Sequence, residues 1–230
     1  MSIADKLTTI AENEQKVYDA GAENVEKILT NGGERNYYYN FFRQCEFEYP
    51  PFYPQNIVNA RAMFYECKNL KEINGLDLSK ATSADDMFVN TTSIEKILNS
   101  PMPKVASMPY IFSNSGVKEI NPLNVSGVGI EAYRSNNSFY GCKNLTTVVM
   151  EGTISFSMDI HWSPLSKASI VSIINALSTT TSGLTLTLSK SAVNTAFGIN
   201  VDDETTYPEG SEYYTLRHSK DNWAISYLDA

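Results

Sequence analysis

One spacing recurs through the middle of the chain and constrains its fold more than any other feature. In residues 63–73, Phe64, Cys67, Leu70 and Ile73 follow one another three residues apart. A second clear copy occupies 139–148, and weaker copies give five aligned phenylalanines, which lie 22 to 27 residues apart: Phe42, Phe64, Phe88, Phe112 and Phe139. A period in the twenties is typical of a solenoid, whose units bury their apolar sides only by stacking on one another. The spacing predicts a solenoid of about five degenerate repeats over residues 33–160.

The three cysteines share one position in this pattern. Cys45, Cys67 and Cys142 each follow an aligned phenylalanine by three residues, and Thr91 and Ser115 take the same place in the other copies. Small side chains of different chemistry at equivalent positions indicate a buried site that has room only for a small side chain. An odd number of cysteines also argues against a disulfide-bonded secreted domain.

Within each unit the apolar residues recur every two or three positions, which is neither a sustained helix face nor strict alternation. This pattern predicts a short parallel strand around Leu70–Ile73, followed by a turn at Asn74-Gly75. Proline cannot donate to a central ladder, so we expect four prolines in the connections between strands: Pro101, Pro103, Pro109 and Pro122. A protruding loop is expected at 125–137.

The N-terminal segment, residues 1–32, reads as a helix that ends at Asn31-Gly32-Gly33. Ser2 and Asp5 form a start signal similar to a capping box. Four apolar positions then share one helical face: Ile3, Leu7, Ile10 and Val17. Two interpretations remain open, a helix laid on the end of the solenoid, or a segment for attachment and homo-oligomerisation.

An aromatic cluster follows this segment and supplies the candidate partner-binding residues. They are Tyr37, Tyr38, Tyr39, Tyr49, Phe52 and Tyr53. Rigid aromatic side chains could stack on sugar rings or anchor a protein partner, because they provide contact area at low entropic cost. The same residues could instead be the N-terminal cap that a solenoid requires.

In residues 161–230 the repeat spacing ends, and the apolar pattern changes to that of helices and strands. This pattern predicts an α/β cap for the far end of the solenoid. Helical spacing runs from Pro164 to Leu177, threonines alternate with leucines in 184–188, and a second helix is expected at 190–197. Residues 223–227 predict a final strand, and 202–210 a loop. The fold class expected for the whole chain is α+β.

Charge and composition exclude several classes of partner. Eighteen basic and twenty-six acidic residues give a net charge of −8, which argues against nucleic acid. The chain lacks a run of apolar residues long enough to enter a membrane, and the first residues lack an apolar signal core. We therefore expect a product made in the cytoplasm without a signal peptide and not inserted into a membrane.

A search for chemistry yields no catalytic constellation. The only histidines, His161 and His218, lack partners at metal-ligand spacing, and neither nucleophile nor phosphate-loop motifs occur. Adjacent carboxylates such as Asp85-Asp86 point apart on a strand or loop. We expect no enzyme activity, no catalytic or cofactor-binding residue, no cofactor and no metal.

The segment Met63-Phe64-Tyr65-Glu66-Cys67-Lys68-Asn69-Leu70, continued by Leu76-Asp77-Leu78-Ser79, resembles the BspA-type leucine-rich repeat, whose units read Met-Phe-x-x-Cys-x-x-Leu and then Leu-Asp-Leu-Ser. The resemblance spans about residues 42–158 and implies surface or adhesion proteins that bind protein or glycan without catalysis.

The flanks add a second resemblance. Residues 3–21, together with the 164–177 helix and its Leu/Thr strand, are similar to the ends of virion-associated proteins of tailed phages of Firmicutes. The two resemblances together imply a phage tail-associated or decoration protein located in the virion. The alternatives are an adhesin-like repeat protein on a bacterial cell surface and, third, a glycan-degrading β-solenoid enzyme.

Overall fold

The computed structural model describes residues 38–129 and 137–229. The predicted N-terminal helix, with Ile3, Leu7, Ile10 and Val17, lies outside these residues, as does Tyr37. The loop expected at 125–137 is described only up to residue 129 and again at residue 137.

Four short strands form a parallel sheet in the first part of the chain. They are β1 (Glu72–Asn74), β2 (Lys96–Leu98), β3 (Glu119–Asn124) and β4 (Thr147–Glu151), in the order β1-β2-β3-β4. The register places four buried aliphatic side chains in one row: Ile73, Ile97, Ile120 and Val148. Strand β1 begins later than the predicted Leu70, because the Leu70 N–H still donates to the Cys67 carbonyl in a turn. The parallel strands are as expected, and the boundary is shifted by two residues.

A row of stacked aromatic rings, the phenylalanine column, runs beside this sheet. It consists of Phe42, Phe64, Phe88, Phe112 and Phe139, all buried. The centroids of successive rings lie 5.3, 5.4, 5.8 and 5.3 Å apart. Burial of each ring contributes about 1.5–3 kcal/mol to stability before the entropy of ordering is subtracted.

Each column phenylalanine lies in a short segment of chain, which we call its window. Backbone hydrogen bonds join consecutive windows. The N–H groups of Phe42, Phe64 and Phe88 donate to carbonyls 21 to 23 residues further along the chain, at 2.8–2.9 Å. A residue with a left-handed backbone stands two positions after each column phenylalanine, and another stands two positions before four of the five. At the position two before it stand Asn40, Ala62, Asp86 and Tyr110, and at the position two after it Gln44, Glu66, Asn90, Asn114 and Gly141. A helix cannot continue through such residues, so these segments remain turns.

One proline expectation is wrong. Pro122 lies inside β3, a central strand of the sheet, after a cis Asn121–Pro122 peptide bond. The pairing of β3 with β4 shifts between Ile120 and Leu123. Since this irregularity interrupts the ladder at the proline, its missing N–H is accommodated there. Pro101, Pro103 and Pro109 lie outside the strands, as expected.

A second parallel sheet, of order β5-β6-β7, follows. Its strands are β5 (Met158–Asp159), β6 (Leu184–Ser189) and β7 (Trp223–Leu228). The helices are α1 (Lys167–Ala176), α2 (Lys190–Phe197) and α3 (Glu212–His218), with a 3₁₀ turn at Glu204–Thr206.

The predictions of α1, β6, α2 and β7 are confirmed. Helix α3 was not predicted, because its seven residues are too few to show a clear apolar period. Residue 160 was the predicted boundary between the solenoid and the C-terminal cap. Strand β5 lies before this boundary and pairs with β6, which lies after it.

Helix α1 covers the open edge of the first sheet. The Ser169 and Ser172 hydroxyls accept the N–H groups of Val148 and Met150 in β4, both at 2.9 Å. Ser166 caps the helix N-terminus. At the other end Lys220 Nζ donates to the carbonyls of Asn175 and Leu177, at 3.1 and 2.6 Å. The buried side chains of both sheets belong to one hydrophobic cluster. The described fold mixes parallel sheets with few helices and is compatible with the α+β class.

Candidate binding surface

The predicted aromatic candidates separate into buried and exposed side chains. Tyr38 is buried, and its hydroxyl donates to the Gln55 carbonyl at 3.0 Å. The Tyr53 hydroxyl accepts the Asn74 N–H at 2.9 Å. Tyr39 and Tyr49 are 49% and 61% exposed. Among the described candidates, these two tyrosines are the most accessible.

Phe52 belongs to a cluster of rings at the Phe42 end of the column. Its ring lies 6.0 Å from Phe41 and 5.7 Å from Phe42, in edge-to-face contact, and Phe47 lies 5.3 Å from Phe42. Edge-to-face pairs of this kind add about 0.5–1.5 kcal/mol beyond the area that they bury. The geometry of Phe52 and Tyr38 favours the cap interpretation for this part of the cluster.

A second aromatic surface runs along the column, and of its aromatic residues the sequence analysis predicted only Tyr39. We call it the turn face and define it as the residues from three before to two after each column phenylalanine, as far as described, together with the turn 160–163. It presents five partly or fully exposed aromatic side chains: Tyr39, Tyr65, Tyr110, Tyr140 and Trp162. A usable sequence signal existed, because four of the five phenylalanine windows contain a tyrosine beside the column.

Arg61 links neighbouring windows on this face. Its guanidinium lies 5.8 Å from the centre of the Tyr39 ring and 3.7 Å from the Asp86 carboxylate. Partial burial raises the pKa of Asp86, an effect that Arg61 opposes and the neighbouring Asp85 reinforces. Arg43 lies over the Tyr65 ring in the same manner, at 4.7 Å. The arginines thus hold the tyrosine rings in place while remaining hydrogen-bond donors.

The largest aromatic group of the turn face lies at its C-terminal end. The Trp162 ring is 5.3 Å from Tyr140 and 4.9 Å from His161, and Lys143 Nζ lies 5.5 Å from its centre. His161 Nδ1 lies 2.6 Å from Asp159 Oδ1, which fixes the imidazole orientation. Tyr140 is 49% exposed and Trp162 partly exposed. The group combines apolar ring surface with hydrogen-bonding side chains.

The outward side of the first sheet, the strand face, has a different character. It carries three lysines and three glutamates: Lys71, Glu72, Glu95, Lys96, Lys118 and Glu119. Lys118 Nζ lies 2.7 Å from Glu95 Oε1, and Lys96 Nζ lies 3.9 Å from Glu119 Oε2. The hydrogen bond from Lys118 lowers the pKa of Glu95. Opposite charges on neighbouring strands therefore satisfy one another on this face.

The cysteines are structural, and the prediction that they are buried is confirmed. Cys45, Cys67 and Cys142 are free thiols with at most 2% exposure. Burial raises the pKa of Cys142 to about 12. The hydrogen bond with Cys67, together with burial, raises the pKa of Cys45. Buried, protonated thiols are poor nucleophiles and poor metal ligands.

A polar cleft lies in the C-terminal part of the described chain. A cleft of about 360 Å³ is lined by Arg217, His218 and Trp223, among others. Arg217 already donates to the Tyr207 hydroxyl at 2.9 Å and pairs with Glu204 at 3.6 Å. Within residues 38–129 and 137–229, no group of three or more His, Cys, Asp or Glu side chains could hold a metal ion.

None of the helices that the structure describes is long and apolar enough to cross a membrane. No family model, curated protein or solved structure matches this chain. The fold and the exposed surfaces are therefore the basis for a functional proposal.

Proposed function

We propose that this protein is a non-enzymatic, leucine-rich-repeat solenoid that acts as a tail-associated or decoration protein of a tailed phage and contacts a protein or the host surface. The observation that carries the proposal is the phenylalanine column, whose five rings come from sequence windows 22 to 27 residues apart and stack at 5.3 to 5.8 Å. Stacked windows of this kind create extended surfaces suited to binding.

The resemblance of the repeat to BspA-type surface proteins supports a binding role, and the resemblance of the flanks supports a phage origin. The turn face supports binding as well, because exposed, rigid aromatic side chains provide contact area at low entropic cost. In this proposal the described polar groups have packing and recognition roles, and no reaction is assigned to them.

The location of the protein is tested by mass spectrometry of virions purified from a lysate of the strain that carries the gene. We expect the protein in a constant ratio to the tail proteins. Its absence from virions and presence on the cell surface would favour the adhesin alternative, and its absence from both would contradict the proposal.

The catalytic alternative has a separate assay. Purified protein is incubated with cell-wall polysaccharide from the host, and new reducing ends and unsaturated uronates are measured. Neither product is expected to accumulate, and turnover that is lost on substitution of a carboxylate such as Asp86 or Asp159 would replace the binding function by a hydrolase or lyase.

The role proposed for residues 1–32 is attachment or homo-oligomerisation. Light scattering of the full chain beside a chain lacking these residues separates this role from capping. A lower mass per particle on truncation would assign assembly to the segment, whereas an unchanged mass with lower stability would assign capping.

A further inference from the structure

We propose that the turn face is the ligand-binding surface of this protein, and that its ligand is a neutral polysaccharide which stacks on Tyr140 and Trp162. This inference rests on the proposed function as a surface-contacting module and names both the face and the chemical class of the ligand. The strand face, in contrast, is assigned to stability and solubility.

The two faces differ in how their charges are arranged. On the strand face, lysines and glutamates pair across neighbouring strands, with Lys118–Glu95 at 2.7 Å, so a ligand would have to displace bonds that already exist. The turn face carries Arg43, Arg61, Glu66, Asp85 and Asp86, and Lys143 and Asp159 border the Trp162 group. With three cationic and four anionic side chains, this surface has no strong field of either sign. A neutral ligand fits such a surface better than an anionic or a cationic one.

The aromatic side chains of the turn face follow the direction of the phenylalanine column. Tyr39, Tyr65, Tyr110, Tyr140 and Trp162 come from different windows, so they are distributed along the axis of the phenylalanine column. Successive column rings are 5.3 to 5.8 Å apart, a rise comparable with the length of one pyranose unit. The exposed rings are spaced less regularly than the column, because the Phe88 window contributes none, and a sugar chain along this axis would stack on Tyr140 and Trp162, whose centroids lie 5.3 Å apart. Exposed rings offer the apolar faces on which pyranose C–H groups pack.

Hydrogen-bonding groups lie between the exposed rings. Sugar hydroxyls both donate and accept, so a polysaccharide site needs both kinds of partner. Arg61 offers donors beside the Asp86 carboxylate, and Asn114 offers an exposed amide close to Gly141. At the C-terminal end, the paired His161 and Asp159 border the Trp162 ring.

A protein partner fits this face less well. Stable protein interfaces have a dry centre of large apolar side chains. The aliphatic residues of the phenylalanine windows are buried, Val89 being 9% exposed, so the accessible apolar surface is aromatic and separated by polar groups. This alternation is suited to a polyhydroxylated chain.

The test uses the full-length protein and the neutral polysaccharide fraction extracted from Gram-positive cell walls. Binding is measured by affinity electrophoresis in gels containing the polysaccharide and by Trp fluorescence. Trp162 and Trp223 are the only tryptophans. Since Trp223 is buried and its indole N–H donates to the Ser178 carbonyl at 2.9 Å, a ligand-dependent change in emission reports on Trp162.

Two variants, Tyr140→Ala and Trp162→Ala, are expected to weaken binding about tenfold each, the effect of losing one aromatic contact. Tyr49→Ala is the matched control, because Tyr49 is an exposed tyrosine outside the turn face. It is expected to bind as the unchanged protein does. Circular dichroism and urea unfolding confirm that each variant remains folded.

The outcomes separate this inference from the function on which it rests. Loss of binding in Tyr49→Ala with full binding in Tyr140→Ala and Trp162→Ala would overturn the turn face in favour of the predicted aromatic cluster. Failure to bind the polysaccharide, with capture of a virion or envelope protein instead, would overturn the glycan ligand but leave the proposed function. Absence of the protein from virions and cell surfaces would overturn the function itself.

Discussion

Cys67, Thr91 and Cys142 each lie three residues after a column phenylalanine, and each side chain donates a hydrogen bond to a backbone carbonyl. Cys67 Sγ donates to the Phe42 carbonyl at 2.7 Å and Cys142 Sγ to the Phe112 carbonyl at 3.0 Å. The Thr91 hydroxyl donates to the Phe88 carbonyl at 2.6 Å. The thiols thus bond to the carbonyl of the preceding column phenylalanine and Thr91 to that of its own window, while the Ser115 hydroxyl lies 3.9 Å from Cys142 Sγ. The position therefore accepts small side chains that can donate, and their partners differ.

The cysteines are expected to resist chemical modification in the folded protein. With a pKa of about 12, Cys142 is ionised in about one molecule in ten thousand at pH 8, and only the thiolate reacts. A thiol-reactive disulfide reagent should label none of the three thiols rapidly in buffer and all three in 6–8 M urea, an order-of-magnitude range for full unfolding. Rapid labelling of native protein would contradict the burial of this position.

Gly116 is the glycine that packing requires most directly. A Cβ atom built on it would lie 2.1 Å from the Thr92 carbonyl oxygen and 2.8 Å from its carbon, which are backbone atoms that cannot rotate away. Gly116→Ala should lower the free energy of unfolding by about 1–3 kcal/mol, measured by urea titration.

Gly129→Ala is the matched control for that substitution, because its Cβ would meet no atom of the described residues within 4 Å. It should change the free energy of unfolding by about 0.5 kcal/mol or less. Equal effects at the two positions would show that the close approach at Gly116 is relieved by a small backbone shift.

Helix α1 acts at the scale of an element, because it closes the edge of the first sheet with side chains instead of another strand. The Ser169 hydroxyl accepts from the Val148 N–H at 2.9 Å and donates to the Thr146 carbonyl at 3.0 Å. An uncovered edge strand is open to pairing with other chains. The serines at 166, 169 and 172 fall on one side of the helix because they are three residues apart.

Ser169→Ala should therefore lower the free energy of unfolding by about 1–3 kcal/mol, since the buried Val148 N–H loses its partner, while the Thr146 carbonyl keeps the Ser166 N–H at 2.9 Å. Asn175→Ala, at an exposed position of the same helix, is the control and should be close to neutral. Urea unfolding compares the two. A neutral Ser169→Ala would mean that water replaces the hydroxyl at the edge of β4.

At the scale of the whole molecule, the phenylalanine column connects the windows of the first sheet into one core. Phe88 lies in its middle and contacts Phe64 at 5.4 Å and Phe112 at 5.8 Å. Phe88→Ala should cost about 3–5 kcal/mol, because the cavity has packed neighbours on both sides. Phe52→Ala, at the end of the column and 38% exposed, should cost less. Thermal unfolding monitored by circular dichroism ranks the two variants, and the reverse order would show that the column is not the main source of stability.

Sequence patterns predicted much of the C-terminal part, because α1, β6, α2 and β7 each carry their own period. Helix α3 was missed, since a seven-residue helix gives less than two full turns of pattern. Pro122 was misplaced, because the local preference of proline says nothing about a register shift, which depends on the neighbouring strand. The left-handed backbone at Ala62, Glu66 and Tyr110 could not be predicted either, since none of these residue types favours that conformation.

By itself, the sequence determined which residues are equivalent: the interval between phenylalanines and the small residue three positions later can be read without coordinates. It could not determine which surface those intervals create. Tyr65, Tyr110, Tyr140 and Trp162 are far apart along the chain and come to the same face only because backbone hydrogen bonds join successive windows. Likewise, the burial of Tyr38 and the pairing of Lys118 with Glu95 depend on neighbours 17 and 23 residues away. Local spacing is encoded in the chain, whereas exposure is a property of the packed structure, and only the tertiary structure could separate the strand face from the turn face.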